Sequence, residues 1–431
     1  MSIDLKEKAR AARLASRPLS ALPQERRNAA LLEIEAALRA NQQRIFEANE
    51  RDMARAKETD LPLPMQKRLR FNEAKLEEVC QGLRDLAALP DPLGRTTLLR
   101  ELSPGLVLRR RTCPIGVIGV IFESRPDALV QILSLCLKTG NAVLLKGGTE
   151  AQETNSALFE TIVKGTDLPE GWCALLRGRE EVTQMLALYE DIDLIIPRGS
   201  NAFVRMIMEN TQIPVLGHSS GICHLYLDAS AEPDMAARLA VDAKTQYPAA
   251  CNAIETLLIH SKAAEAAGAA LAALNAAGVV LHADSRTAGM LEGMGISYVP
   301  LKQEDLGREY GDLELNVVMV DALEEAIEHI NAYGSHHTDA IVTDDPDSAE
   351  KFKLLVDSAG VYHNCSTRFA DGQRYGFGAE VGISTGKLHA RGPMGPEGLC
   401  TYKYEIEGQG QTVEDFAEGR LQYTHITMEE A

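Results

Sequence analysis

Cys251 lies in the string Tyr247-Pro248-Ala249-Ala250-Cys251-Asn252, at a proline-marked junction between a helical pattern over 233–244 and an apolar run over 254–259. A thiolate is a strong nucleophile, and backbone N–H groups left free at such a junction can stabilise it. Most single cysteines are only small apolar side chains, and Cys136 and Cys223, inside apolar runs, read that way. Position alone leaves both readings open for Cys251. Two glycine turns offer a different chemistry. Lys146-Gly147-Gly148-Thr149 and Arg198-Gly199-Ser200 each follow a short apolar run and precede a helical pattern, where free N–H groups and a helix dipole would face an anion. Neither is a GxGxxG fingerprint or a Walker loop, and either one alone reads equally as a plain turn.

Gly217-His218-Ser219-Ser220-Gly221 matches GxSxG. The hydrolase elbow needs a strand, a tight turn and a helix, whereas 222–227 alternates as a strand does, so a loop between strands is the simpler reading. A Ser219 hydrolase stays as the alternative from another enzyme class, and a non-catalytic nucleotide binder as a third. A further group spans 364–369, 377–382 and 389–393, where Ser366, Thr367, Arg368, His389 and Arg391 fall in a long polar loop system suited to a small anion. The adjacent His336 and His337 read as structural, and no metal site is expected.

These side chains need elements to hold them. Residues 1–90 read as helices, with Leu31, Ile34, Leu38 and Ile45 at helical spacing. From 109 the texture changes to short apolar runs at 115–122, 142–145, 172–176, 193–196 and 213–216, with helical patterns between them. A second alternating series follows at 254–259, 279–281, 316–320, 340–343 and 360–362. Strands that alternate with helices in this way imply parallel βαβ units, hence two doubly wound α/β domains in tandem. The stretch from Gly408 reads as a surface tail.

Composition narrows the partners. The 431 residues carry 44 Lys plus Arg against 62 Asp plus Glu, a formal net charge of −18, which repels nucleic acid and anionic lipid. Eight cysteines without a CxxC pair exclude the usual metal frameworks and fit a reducing, cytoplasmic setting. The first twenty residues mix acids with bases and lack an apolar run, unlike a signal peptide. The stretch 263–281 is Ala- and Gly-rich and interrupted by Glu265 and Asn275, so no membrane span is expected.

Taken together, GVIGVIFESRPD (116–127), LLKGGTEA (144–151), LIIPRGS (194–200), GHSSGICHLYLD (217–228), YPAACNAIETLLIH (247–260), DLELNV (312–317), NCSTRFADG (364–372) and FGAEVGISTGKLHARGPMG (377–395) resemble the gamma-glutamyl phosphate reductases, or glutamate-5-semialdehyde dehydrogenases, of the aldehyde dehydrogenase superfamily. The similarity runs over nearly the whole chain. It implies an aldehyde dehydrogenase-like fold and the NADPH-dependent reduction of L-glutamyl 5-phosphate to L-glutamate 5-semialdehyde for proline synthesis, through a thioester on Cys251. It also implies cofactor contacts at Lys146, Gly147, Gly148, Thr149, Gly199, Ser200 and Glu314. The neutral Thr149 stands where relatives that prefer NAD carry an acid, which leaves room for a 2′-phosphate. The backbone N–H groups of Cys251 and Asn252 are the expected oxyanion donors. Arg125, Asp127, Ser366, Thr367, Arg368, His389 and Arg391 are expected at the substrate. Asp127 and Lys146 stand where many bacterial members have Asn and Arg, and the 217–221 string replaces a plainer glycine loop. The expected organisation is an NADP-binding unit over 1–222, a catalytic unit over 223–398, and a flap in which 98–112 pairs with 399–406 to make a homo-oligomer. Contact with glutamate 5-kinase is expected because an acyl phosphate is labile.

Overall fold

In the computed structural model, residues 3–123, 125–178, 180–218 and 220–429 are described; Ser219, the serine of the GxSxG string, lies outside them. The helices Ile3–Ser20, Gln24–Ala40, Gln42–Glu58, Leu63–Leu69 and Glu73–Ala88 fill the first ninety residues. The last begins at Asn72, whose side chain accepts from the Lys75 N–H, a cap worth about 1 kcal/mol. Helix Pro126–Lys138 is apolar on nearly every face because it lies between Glu73–Ala88, Gln24–Ala40 and Gln152–Lys164 as well as against the sheet.

Two parallel sheets organise the chain. The first runs Cys173–Leu176, Ala142–Lys146, Val117–Ile121, Leu194–Pro197. Its order reverses between the last two strands, and the crevice outside the carboxyl ends at such a reversal is where open α/β sheets bind ligands. The second has seven strands in the order Val299–Pro300, Val280–Ala283, Glu314–Val320, Ile254–His260, Cys223–Leu227, Thr338–Val342, Gly360–His363. Its central strands are buried along their whole length, as sheets covered on both faces require. The run expected as a strand at 213–216 contributes only a single bridge, Val215 to Ile195. The helix that follows Cys173–Leu176 is short, Glu180–Met185.

A third, antiparallel sheet forms the flap. Leu106–Pro114 lies between Thr96–Ser103 and Cys400–Glu407, with Cys400 opposite Pro114 and Glu407 opposite Val107. The expected surface tail is more ordered than its composition suggested. A capping box between Thr412 and Asp415 starts the helix Val413–Ala417, and Ile426–Thr427 adds an edge strand beside Arg100 and Glu101. The polar loop system after His363 also folds back: Val381, Ala390, Met394 and Leu399 join the core of the first sheet rather than the second. Residues 379–399 therefore span the two sheets. None of the described helices is long and apolar enough to cross a membrane.

Candidate active site

Cys251 is held on the loop between helix Pro233–Thr245 and strand Ile254–His260, so it meets the amino end of its strand. Both ends of the loop are pinned. Lys244, in the last helical turn, and Glu255, second in the strand, form a buried ion pair at 2.8 Å, and Glu255 also accepts from the Gly311 N–H at 3.2 Å. Burial pushes the Glu255 carboxyl up to about 7 against the pull of Lys244. Gly221 passes under the loop so closely that a Cβ there would lie 2.4 Å from the Cys251 carbonyl oxygen and 2.5 Å from its Cα. No side chain fits that approach. The Cys223 thiol donates to the Cys251 carbonyl at 3.3 Å.

The thiol opens on a cavity of about 870 Å³. The first sheet supplies its other wall through Pro197, Arg198 and Gly199, with Arg125 and Asp127 at the start of helix Pro126–Lys138 and Lys75 from Glu73–Ala88. Asp127 is buried and pairs with Arg125 at 3.0 Å and Lys75 at 3.9 Å, so it orients two cations. Nη1 of Arg198 is buried with no hydrogen-bond partner among the described residues. A guanidinium nitrogen in that state is matched to an anion not supplied by the fold. Across the cleft, Glu309 accepts from the Asn201 side chain at 2.6 Å and ties the second sheet's loops to the first sheet's helix Asn201–Glu209.

Burial, then Glu380 and Glu309, push the Cys251 thiol up to about 12; Arg368 and the thiol's own backbone N–H pull the other way. Glu380 lines the same cavity, and burial raises its carboxyl although it accepts from the Gly372 N–H at 2.8 Å. His218, also in the lining, bonds the Ile383 carbonyl through Nδ1 at 3.0 Å, and burial lowers its pKa.

Asn252 faces away from the cavity. Its side-chain amide donates to the Ala370 carbonyl at 2.8 Å, while Thr367 donates to the Asn252 carbonyl at 2.7 Å and Ser366 caps the short turn Thr367–Phe369. Arg368 donates to Gln246 at 3.0 Å. Ser366, Thr367 and Arg368 thus brace the Cys251 loop from behind. His389 and Arg391 are not brought to the cavity. The His389 ring bonds the Cys400 carbonyl at 2.9 Å, Arg391 pairs with Asp357 at 2.9 Å, and both border a separate groove beside the flap. Glu314 pairs with His282 at 2.8 Å, outside the cavity lining.

The glycine turns sit at the carboxyl edge of the first sheet. Gly147, Gly148 and Thr149 follow Ala142–Lys146 and, with Arg177, border the groove toward helix Gln152–Lys164; Lys146 is buried and donates to the Gly147 carbonyl at 2.6 Å. A Cβ on Gly147 would come within 2.4 Å of the Asn155 amide, and Oδ1 of Asn155 is buried without a partner among the described residues. Gly199 and Ser200 open helix Asn201–Glu209. A glycine cradle, an unsatisfied Asn155 and helix N-termini together fit a dinucleotide laid along this edge.

Sequence reasoning marked Arg198 as part of an anion-facing turn but passed over Lys75, Glu380 and His218 as side chains of this cavity. The only signal available for the last two was that His218 and Glu380 lie inside glycine strings already marked for other reasons.

The sequence profile described as Aldehyde dehydrogenase family matches residues 2–288. A gamma-glutamyl phosphate reductase of Pelotomaculum thermopropionicum is 53% identical over 97% of this chain and 96% of its own length. A second, from Ruminiclostridium cellulolyticum, is 50% identical over 99% and 98%. The crystal structure of gamma-glutamyl phosphate reductase from Thermotoga maritima superposes with a TM-score of 0.92 at 36% identity, covering 95% of this chain and 99% of that one.

Proposed function

The chain belongs to the aldehyde dehydrogenase family, and we propose that Cys251 is the nucleophile with which it reduces L-glutamyl 5-phosphate to L-glutamate 5-semialdehyde. That reaction is a step of proline biosynthesis. The observation that carries the assignment is the shared cavity: the half-buried Cys251 lines it together with Arg198, whose Nη1 has no hydrogen-bond partner among the described residues, and with the Arg125 and Lys75 cations, in a chain of net charge −18.

The Cys251 sulfur attacks the acyl carbonyl, the carbon–oxygen bond to phosphate breaks, and the thiol proton leaves with the phosphate. The carbonyl oxygen is placed toward the Cys251 and Asn252 backbone N–H groups. Arg198, Arg125 and Lys75 bind the anionic ends of the substrate, and Asp127 keeps the latter two in position. A nicotinamide cofactor, when bound, supplies the hydride that reduces the thioester. Cys251 then takes back a proton as the aldehyde leaves. No base is needed to activate water, because the thioester is reduced rather than hydrolysed.

The cofactor is NADPH on this reading. Gly147, Gly148 and Thr149 line its groove next to the buried Lys146, Gly199 and Ser200 stand at the start of helix Asn201–Glu209 farther along the same edge, Thr149 leaves the ribose pocket without a carboxylate at that position, and Arg177 is an exposed cation on the groove. Glu314 reaches the ribose only by releasing His282. The flap, with Tyr402, Tyr404 and Ile406 exposed along one strand, pairs copies of the chain into a homo-oligomer. The enzyme works in the cytoplasm, and glutamate 5-kinase docks to hand over the labile acyl phosphate. The test is the reverse reaction: with pyrroline-5-carboxylate and NADP⁺, NADPH should form only when phosphate is added. Phosphate-independent turnover would point instead to a hydrolytic aldehyde dehydrogenase.

A further inference from the structure

The fold brings together three metal-ligating side chains that the sequence keeps far apart. A ring nitrogen of His218, a ring nitrogen of His337 and Sγ of Cys251 all lie within 4.8 Å of one another. We infer that these three residues form a site for a soft divalent cation of the zinc type, whose binding captures the Cys251 sulfur and switches the enzyme off.

His337 carries the argument. It is fully buried at the start of strand Thr338–Val342, its Nδ1 is within 2.9 Å of the Thr338 hydroxyl, and its Nε2 has no hydrogen-bond partner among the described residues. A buried polar atom left unpaired is rare enough to need a reason. His218 is arranged in the same way: the Ile383 carbonyl fixes Nδ1 and leaves Nε2 as its remaining ligand atom, the outer bond that metal-bound imidazoles ordinarily keep. The two rings meet edge to face at 5.2 Å.

Tetrahedral zinc bonded at about 2.0–2.3 Å sets its ligand atoms roughly 3.3–3.7 Å apart, so a closure of about 1 Å completes the triad. The cation enters through the cavity that His218 and Cys251 line, leaving a fourth position for water. Binding replaces the thiol proton with a sulfur–metal bond and releases one H⁺; nothing is oxidised or reduced. The set of one thiolate and two imidazoles selects zinc or cobalt over magnesium or calcium, which take oxygen ligands.

The consequence for activity rests on Cys251 being the nucleophile, whereas the site itself does not, so the test reads them separately. Titrating the whole enzyme with cobalt(II) should give a thiolate-to-cobalt charge-transfer band with tetrahedral ligand-field bands, one ion per chain, abolished in Cys251→Ser. Absence of that band in the parent overturns the site. Zinc chloride should inhibit turnover reversibly, with full recovery on adding EDTA. His337→Gln, which removes no group lining the cavity, should keep turnover within about threefold while raising the zinc concentration for half-inhibition at least tenfold. Equal zinc sensitivity of parent and His337→Gln overturns the inference. If His337→Gln does not fold, Thr338→Val, which frees the His337 ring, takes its place: a weakened cobalt band supports the site and an unchanged one overturns it. If Cys251→Ser keeps turnover, the nucleophile assignment fails whatever the cobalt spectrum shows.

Discussion

The two parallel sheets face one cleft with opposite ends. The first presents the carboxyl edge of its strands, where chain reversals leave N–H groups and glycine turns for phosphate, with Arg198 and Arg125 beside the point where strand order reverses. The second presents the amino edge of strand Ile254–His260, with Cys251, the proposed nucleophile, on the incoming loop. The first edge is a general solution to anion binding that any doubly wound sheet provides. The second depends on individual side chains rather than on the sheet: Gly221 beneath the loop, the Lys244–Glu255 pair at its ends, and Asn252, Thr367 and Ser366 behind it. Binding is thus assigned to one edge and bond-making to the other, and the two should separate under mutation.

The largest separation is expected at the nucleophile. Cys251→Ala should reduce turnover by about 10⁴-fold or more while leaving cofactor affinity and the melting temperature nearly unchanged, measured by single-turnover assay, NADPH titration and calorimetry. Gly221→Ala should come next. Its Cβ must displace the Cys251 backbone, so kcat should fall about 100-fold and stability by about 1–3 kcal/mol in denaturant melts, with NADPH affinity retained. Arg198→Ala acts on the opposite wall and should raise KM for the acyl phosphate roughly 10- to 100-fold, the range for one charge-assisted hydrogen bond, with a smaller effect on kcat. The smallest effect belongs to Thr149→Glu, which should lower the preference for NADPH over NADH by about tenfold without altering the acyl-phosphate KM. A Thr149 variant that disturbed the chemistry, or a Gly221 variant that disturbed only cofactor binding, would dissolve the division between the edges.

The same contrast explains what was legible in the sequence. The first sheet could be read closely because its strands are short apolar runs with glycine punctuation, and only 213–216, reduced to the bridge at Val215, departs. Cys251 stood out through its proline-marked junction. Its neighbours did not: His218 and His337 reach it only because the strands Cys223–Leu227 and Thr338–Val342 lie side by side, and no local pattern reports that pairing. His389 and Arg391 were drawn to the substrate by their charge, but each is satisfied elsewhere, by the Cys400 carbonyl and by Asp357. A positive charge in a sequence says nothing of its partner. Arg198 is the converse case, since its value lies in having no partner among the described residues.

The central claim is that the glutamyl group is carried on the Cys251 sulfur between the two edges of the cleft. Mixing the enzyme with pyrroline-5-carboxylate and NADP⁺ in phosphate-free buffer, quenching rapidly in acid and mapping peptides by mass spectrometry measures this directly. A glutamyl adduct on the peptide containing Cys251, lost when phosphate is added before the quench, is the predicted result. An adduct on another residue, or none while NADPH is produced, would contradict the account.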